Sequence, residues 1–124
     1  MIVGIGTDIV EIARIERSVR RWGEKFAVKI LSVGELSRYR QRGGIAYLAK
    51  RFAAKEAVSK ALGTGMRCGV GFTQIEVVGQ SGYPPKIVLS GAAASHAERL
   101  GVRVSHLSLS DERQYAVAYV LLES

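Results

Sequence analysis

The longest helical pattern in the chain, residues 45–62, constrains the fold more than any other segment. It is rich in Ala, Lys, Glu and Leu, residues that favour helix intrinsically. It stops at Gly63-Thr64-Gly65, a good helix C-terminal signal. Alanine recurs on several of its sides, so the pattern alone does not define which face is buried. The chain has 124 residues, a length that fits one domain, residues 1–124, with one hydrophobic core.

The flanking segments supply strands and shorter helices. Residues 2–10, IVGIGTDIV, read as a strand with apolar residues on both alternating faces, which predicts burial on both sides. Residues 11–22 switch to helical spacing through Ile12, Ile15, Val19 and Trp22. A short helix is expected around 24–31, and Ser32 with Glu35 forms a capping box for another. Gly43 and Gly44 break the chain before the long helix. Beyond it, residues 72–78 alternate like a strand, 79–84 read as a turn and 86–90 as the returning strand of a hairpin. Residues 91–100 are helical in pattern and end at Gly101. Two more strands, 102–109 and 115–122, flank the polar turn SDERQ. The expectation is an α+β fold, a largely antiparallel sheet packed against the long helix.

Composition excludes several classes. An apolar fraction of 48% with 23% charged residues rules out a disordered or collagen-like chain. There is no run of about 18 apolar residues, so no transmembrane helix is expected. The N-terminal stretch lacks a basic region and carries Asp8 inside its apolar run, which makes it a poor signal peptide. Cys68 is the single cysteine and has no intrachain partner. A reducing, cytoplasmic setting is the simplest reading. The net charge of +7 attracts anions, whether nucleic acid, a polyphosphate ligand or an acidic protein.

Two carboxylates break the apolar pattern. Asp8 interrupts a strand whose neighbours Ile5, Ile9 and Val10 call for burial, and a buried carboxylate needs a cation, donors or a metal. A strand-end Asp capping the next helix explains the same position. Glu56 projects near Ile45, Ala49 and Phe52 at about 100° per residue, although pairing with Lys60 at i+4 is the competing explanation. Two carboxylates from separate elements suit magnesium, which prefers oxygen ligands, keeps several waters and is often shared with a substrate phosphate. Lys60, one turn beyond Glu56, is placed to hold a phosphate oxygen, or else is a solvated helix lysine. Arg14, Arg17 and Arg21 recur along the first helix away from its apolar stripe. They form either a solvated face or a docking surface for an acidic helix. A non-catalytic nucleic-acid-binding module accommodates the charge but gives no reason for Asp8 and Glu56.

These residues fall inside three motifs. GIGTDIVEIARIER at 4–17 and RFAAKEAVSKALGTG at 51–65 resemble the first and second motifs of the bacterial holo-acyl-carrier-protein synthases. LSLSDERQYAVAYVLLE at 107–123 resembles their closing hairpin. The resemblance implies the 4′-phosphopantetheinyl transferase fold in its short trimeric form, a homotrimer with active sites at subunit interfaces. It implies magnesium-dependent transfer of 4′-phosphopantetheine from coenzyme A to a serine of apo-acyl carrier protein, releasing 3′,5′-ADP, in fatty acid biosynthesis. By position, Asp8 and Glu56 match the metal-binding carboxylates, and Lys60 and Arg51 match coenzyme-contacting basic residues. Gly63 and Gly65 let backbone approach the coenzyme closely. Arg14 matches a carrier-docking residue, with Arg17 and Arg21 extending that surface. Glu56, directly or through a metal-bound water, is the candidate general base. Asp111 stands where many relatives have histidine, so no role of that histidine transfers.

Overall fold

The computed structural model describes residues 1–80 and 82–124. The elements follow in the order β1 (Ile2–Glu11), α1 (Ile12–Trp22), α2 (Glu24–Ile30), α3 (Val33–Arg42) and α4 (Ile45–Ala61). A single 3-10 turn at Phe72–Gln74 then leads into β2 (Ile75–Gln80), β3 (Tyr83–Leu89), α5 (Gly91–Leu100), β4 (Val104–Asp111) and β5 (Tyr115–Glu123). Helix α4 is the centre of the architecture. Leu48, Ala49, Ala53, Ala54, Ala57 and Val58 are all fully buried, although they point in different directions around the helix axis. That is the physical reason its alanines recur on several sides. The helix is enclosed by neighbours, and small side chains let those neighbours come close.

The strands form two antiparallel sheets rather than one. The three-stranded sheet has the order β1-β5-β4, and β2 pairs with β3 in a separate hairpin. In the larger sheet Gly6 pairs with Val120, Asp8 with Ala118 and Val10 with Ala116. Strand alternation puts Gly4, Gly6, Asp8 and Val10 on the face turned to α4. Val10, Ala116, Ala118, Val120 and Leu122 are buried on that face.

The other face corrects the expectation of a strand buried on both sides. Ile5 is 58% exposed and Ile9 is 63% exposed. Together with Tyr115 and Tyr119 they make an uncovered apolar face, because among the described residues no element lies over it.

Helix α1 rests against α4 and buries Ile15, worth roughly 1.5–3 kcal/mol. Trp22, the last member of its predicted stripe, is instead exposed at the helix end. Glu11 makes no side-chain cap for α1. The Ile12 amide donates instead to the Gln114 carbonyl at 2.8 Å, so the turn between β4 and β5 holds the start of α1. The capping box of α3 forms as predicted, the Glu35 amide donating to Ser32 Oγ and the Ser32 amide to Glu35 Oε1.

Several strand boundaries differ from the expectation. The strand expected from 72 starts at Ile75, since the Lys55 ammonium takes the carbonyls of Phe72 and Ile75 and the Gln74 amide turns back to Gly71. Strand β3 begins at Tyr83 and so includes Pro84 and Pro85, which an outer strand tolerates because their missing N–H is not needed there. Strand β4 spans Val104–Asp111, two residues later at both ends than the expected 102–109. The predicted turn at 79–84 includes Ser81, which lies outside the described residues.

Candidate active site

Strand β1 and helix α4 bring Asp8, Glu56 and Lys60 together. The strand supplies Asp8 on its inward face, with a side chain only 15% exposed. The helix supplies Glu56 and, one turn later, Lys60. The Lys60 ammonium donates to Asp8 Oδ1 at 3.0 Å and to the Thr7 carbonyl at 3.1 Å. Burial pushes the Glu56 carboxyl above its ordinary range, and the negative charge of Asp8 pushes it further in the same direction. Lys60 and Arg14 pull it back, without cancelling the rise. Two close, partly desolvated carboxylates favour a bound cation, which relieves their repulsion. Among the described residues no group of three or more His, Cys, Asp or Glu side chains gathers. The pair therefore offers two hard oxygen donor groups, a set suited to an ion that keeps waters and shares a substrate phosphate.

The first helix meets this cluster from the side. The Arg14 guanidinium lies over the Phe52 ring, 5.6 Å from its centroid, and its charge acts on Glu56. Arg14 is therefore a neighbour of the carboxylate site as well as part of the basic face. Arg17 pairs with Glu11 at 3.3 Å, Arg20 pairs with Glu16, and Arg21 sits over the Trp22 ring. Beside them opens a cleft of about 470 Å³, lined by Trp22, Phe26, Phe52 and Phe72 with Lys25 and Lys29 among its walls. This cleft is not legible in the sequence. Its aromatic residues come from three different parts of the chain and have no common spacing.

Gly63 and Gly65 start the loop that leaves α4. Both have positive φ, where a side chain would be strained. The Gly63 amide caps the Lys60 carbonyl at 3.0 Å, so the loop begins at the lysine of the site. Arg51 lies elsewhere. Its guanidinium stacks over Tyr47 at 4.5 Å and stands 3.9 Å from Glu35, on another side of α4 from Glu56. Asp111 ends β4 in an ion pair with Lys50 of α4 at 3.3 Å. His96 is on the surface of α5, near Arg99, and His106 bonds Glu123.

A buried ion pair also escaped the sequence reading. Lys55, with no solvent exposure, donates to Glu35 at 2.6 Å. Burial draws the Lys55 ammonium below its ordinary value, and the Glu35 carboxylate draws it up. Glu35 was legible as a helix cap, and nothing in local spacing said that its second oxygen would reach the Val77 amide.

Residues 4–120 match the family described as the 4′-phosphopantetheinyl transferase superfamily, and the chain belongs to that superfamily. The holo-[acyl-carrier-protein] synthases of Halorhodospira halophila and Photorhabdus laumondii are each 54% identical over 123 residues, covering 98% of both chains. The crystal structure of the holo-[acyl-carrier-protein] synthase from Neisseria meningitidis superposes with a TM-score of 0.92 at 42% identity over the whole of both chains. The Helicobacter pylori holo-[acyl-carrier-protein] synthase in complex with coenzyme A gives 0.83 at 33% identity, covering 96% of this chain and 99% of that one. Within the superfamily the chain is a member of the holo-[acyl-carrier-protein] synthases, and it is an enzyme.

Proposed function

We propose that the transfer of 4′-phosphopantetheine from coenzyme A to acyl carrier protein runs on Asp8, Glu56 and Lys60, with magnesium held by the two carboxylates. The observation that supports this is their convergence from β1 and α4, with the Glu56 carboxyl raised by burial and by Asp8, and Lys60 bonded to Asp8. Asp8 and Glu56 would hold the magnesium ion, which when bound would supply positive charge to offset that of the coenzyme pyrophosphate. Lys60, half exposed and one turn from Glu56, holds a phosphate oxygen as a point charge. The carrier serine Oγ forms a bond to the β-phosphorus as the bond to the 3′,5′-ADP oxygen breaks. Glu56 receives the serine proton, directly or through a water.

The basic face of α1 and the adjoining aromatic cleft suit an acidic, partly apolar helix of the carrier. Arg14, Arg17 and Arg21 steer it, and Trp22, Phe26 and Phe52 receive its apolar side chains. The uncovered face of β1 and β5, with Ile5, Ile9, Tyr115 and Tyr119, fits packing among three copies of the chain. In such a trimer a shared site takes Asp8 and Glu56 from one copy and Arg51 from its neighbour. That accounts for a coenzyme contact by Arg51 despite its position on another side of α4. Gly63 and Gly65 line the approach of the coenzyme beside Lys60. Among the described residues no helix is long and apolar enough to cross a membrane, and we place the reaction in the cytoplasm.

Incorporation of labelled pantetheine into apo-carrier protein tests the reading. Wild type transfers the label only with divalent metal, and Asp8→Ala and Glu56→Ala each lose about a hundredfold or more of kcat/KM while staying folded. Full activity in both variants would rule out the metal assignment.

A further inference from the structure

Gly4 and Gly6 owe their place to space rather than to backbone conformation, since neither has positive φ. A Cβ on Gly6 would stand 2.0 Å from the Ala57 carbonyl oxygen and 2.8 Å from the Ala61 nitrogen. A Cβ on Gly4 would stand 2.1 Å from the Ala61 carbonyl oxygen. Cβ atoms essentially never approach within 3.0 Å, and the obstacles here are backbone atoms that cannot rotate away. Strand and helix therefore touch main chain to main chain. The two contacts are not equivalent. Asp8 is the next inward residue after Gly6, and Glu56 is the residue before Ala57. A single backbone contact is thus flanked by a carboxylate on each element.

We propose that Gly6 is a positioning residue, its missing side chain fixing the separation of Asp8 and Glu56 and with it their grip on a divalent cation. The inference rests on the metal reading of that pair. The Lys60 ammonium, anchored on α4, reaches both the Thr7 carbonyl and Asp8 Oδ1, which requires β1 to lie this close. A methyl group at position 6 forces β1 and α4 apart by about 1 Å to clear the Ala57 oxygen. A displacement of that size is enough to cost roughly a hundredfold at a preorganised site. Gly4 is the internal control, since its clash with the Ala61 carbonyl oxygen is as severe but lies four residues from Asp8 and does not involve Ala57, the neighbour of Glu56.

The test is a titration of the purified protein with Mn²⁺, read by electron paramagnetic resonance, with urea unfolding of each variant. Gly6→Ala weakens Mn²⁺ binding by about tenfold or more, while Gly4→Ala changes it less than about threefold, although both lose comparable stability. Asp8→Glu also weakens binding, because an added methylene overfills a fixed gap. Combined with Gly6→Ala it recovers part of the loss, which a merely structural role for Gly6 does not produce. Wild-type Mn²⁺ affinity in Gly6→Ala, or an equal loss in Gly4→Ala, overturns the proposal. If Gly6→Ala does not fold, Asp8→Glu decides, and unchanged affinity in that variant overturns it. Asp8→Ala separates the two readings. Unchanged Mn²⁺ affinity in Asp8→Ala rejects the metal assignment itself, whereas a loss there beside intact binding in Gly6→Ala rejects only the positioning role.

Discussion

Replacing Lys55 by methionine removes one buried charge at nearly constant volume. Its ammonium donates to Glu35 Oε1 at 2.6 Å, to the Phe72 carbonyl at 3.0 Å and to the Ile75 carbonyl at 2.5 Å. Glu35 is 3% exposed, so the substitution strands a carboxylate away from water. Breaking a buried pair in this way costs about 3–5 kcal/mol. Glu35 keeps the amides of Ser32 and Val77, at 2.9 and 2.8 Å, and Arg51 stands 3.9 Å away. These remaining donors place the expected loss near the lower bound, about 3 kcal/mol. That is a large fraction of a typical stability of about 5–15 kcal/mol. For a chain of this length roughly 3–5 °C is lost per kcal/mol, which lowers the midpoint by about 10–15 °C. Urea unfolding and calorimetry measure it. In a double-mutant cycle with Glu35→Leu, the double variant is more stable than the sum of the single losses by about 2 kcal/mol. A single loss below about 1 kcal/mol, or strictly additive losses, refutes the view that the charge pair holds α3, α4 and β2 together.

Three other expectations concern the site and surfaces. The raised Glu56 carboxyl lies above its unfolded value, so its contribution to stability is full below the unfolded pKa and is lost as pH rises through the folded one. Glu56→Gln removes that loss. In metal-free protein the variant therefore gains stability relative to wild type as pH rises above the ordinary glutamate range, by thermal unfolding, and a constant difference contradicts it. With the net charge of +7 and Arg14, Arg17 and Arg21 on α1, the carrier-protein KM rises several-fold between low and high salt; a flat response counts against electrostatic docking. Ile9→Arg puts a charge on the uncovered sheet face without touching α4, and sedimentation should show assemblies of three copies giving way to single chains. A variant of unchanged mass would show that this face is not the interface.

Much of the local structure was legible because it depends on local chemistry. The capping box at Ser32 and Glu35, the helix stop at Gly63 and the helix end at Gly101 are set by side chains and φ angles within a few residues. Asp8 and Glu56 stood out because charges within apolar runs demand an explanation. The strand boundary at Ile75 was not legible, since a lysine twenty residues earlier sets it. Neither was the aromatic cleft, whose walls are distant in sequence. Ile5 and Ile9 of β1, both exposed, read as core because apolar character gives no indication of whether the covering surface belongs to the same chain.

The sequence by itself determined the elements, the family and the identity of the chemical groups. Only the tertiary structure decided their spacing. Gly4 and Gly6 are ordinary strand residues until β1 meets α4, and only there does the missing Cβ become a distance between main chains. Glu56 has an ordinary acid in its side chain until burial and Asp8 raise its affinity for protons. Local patterns encode conformation, whereas separation and electrostatic coupling arise only when remote segments pack.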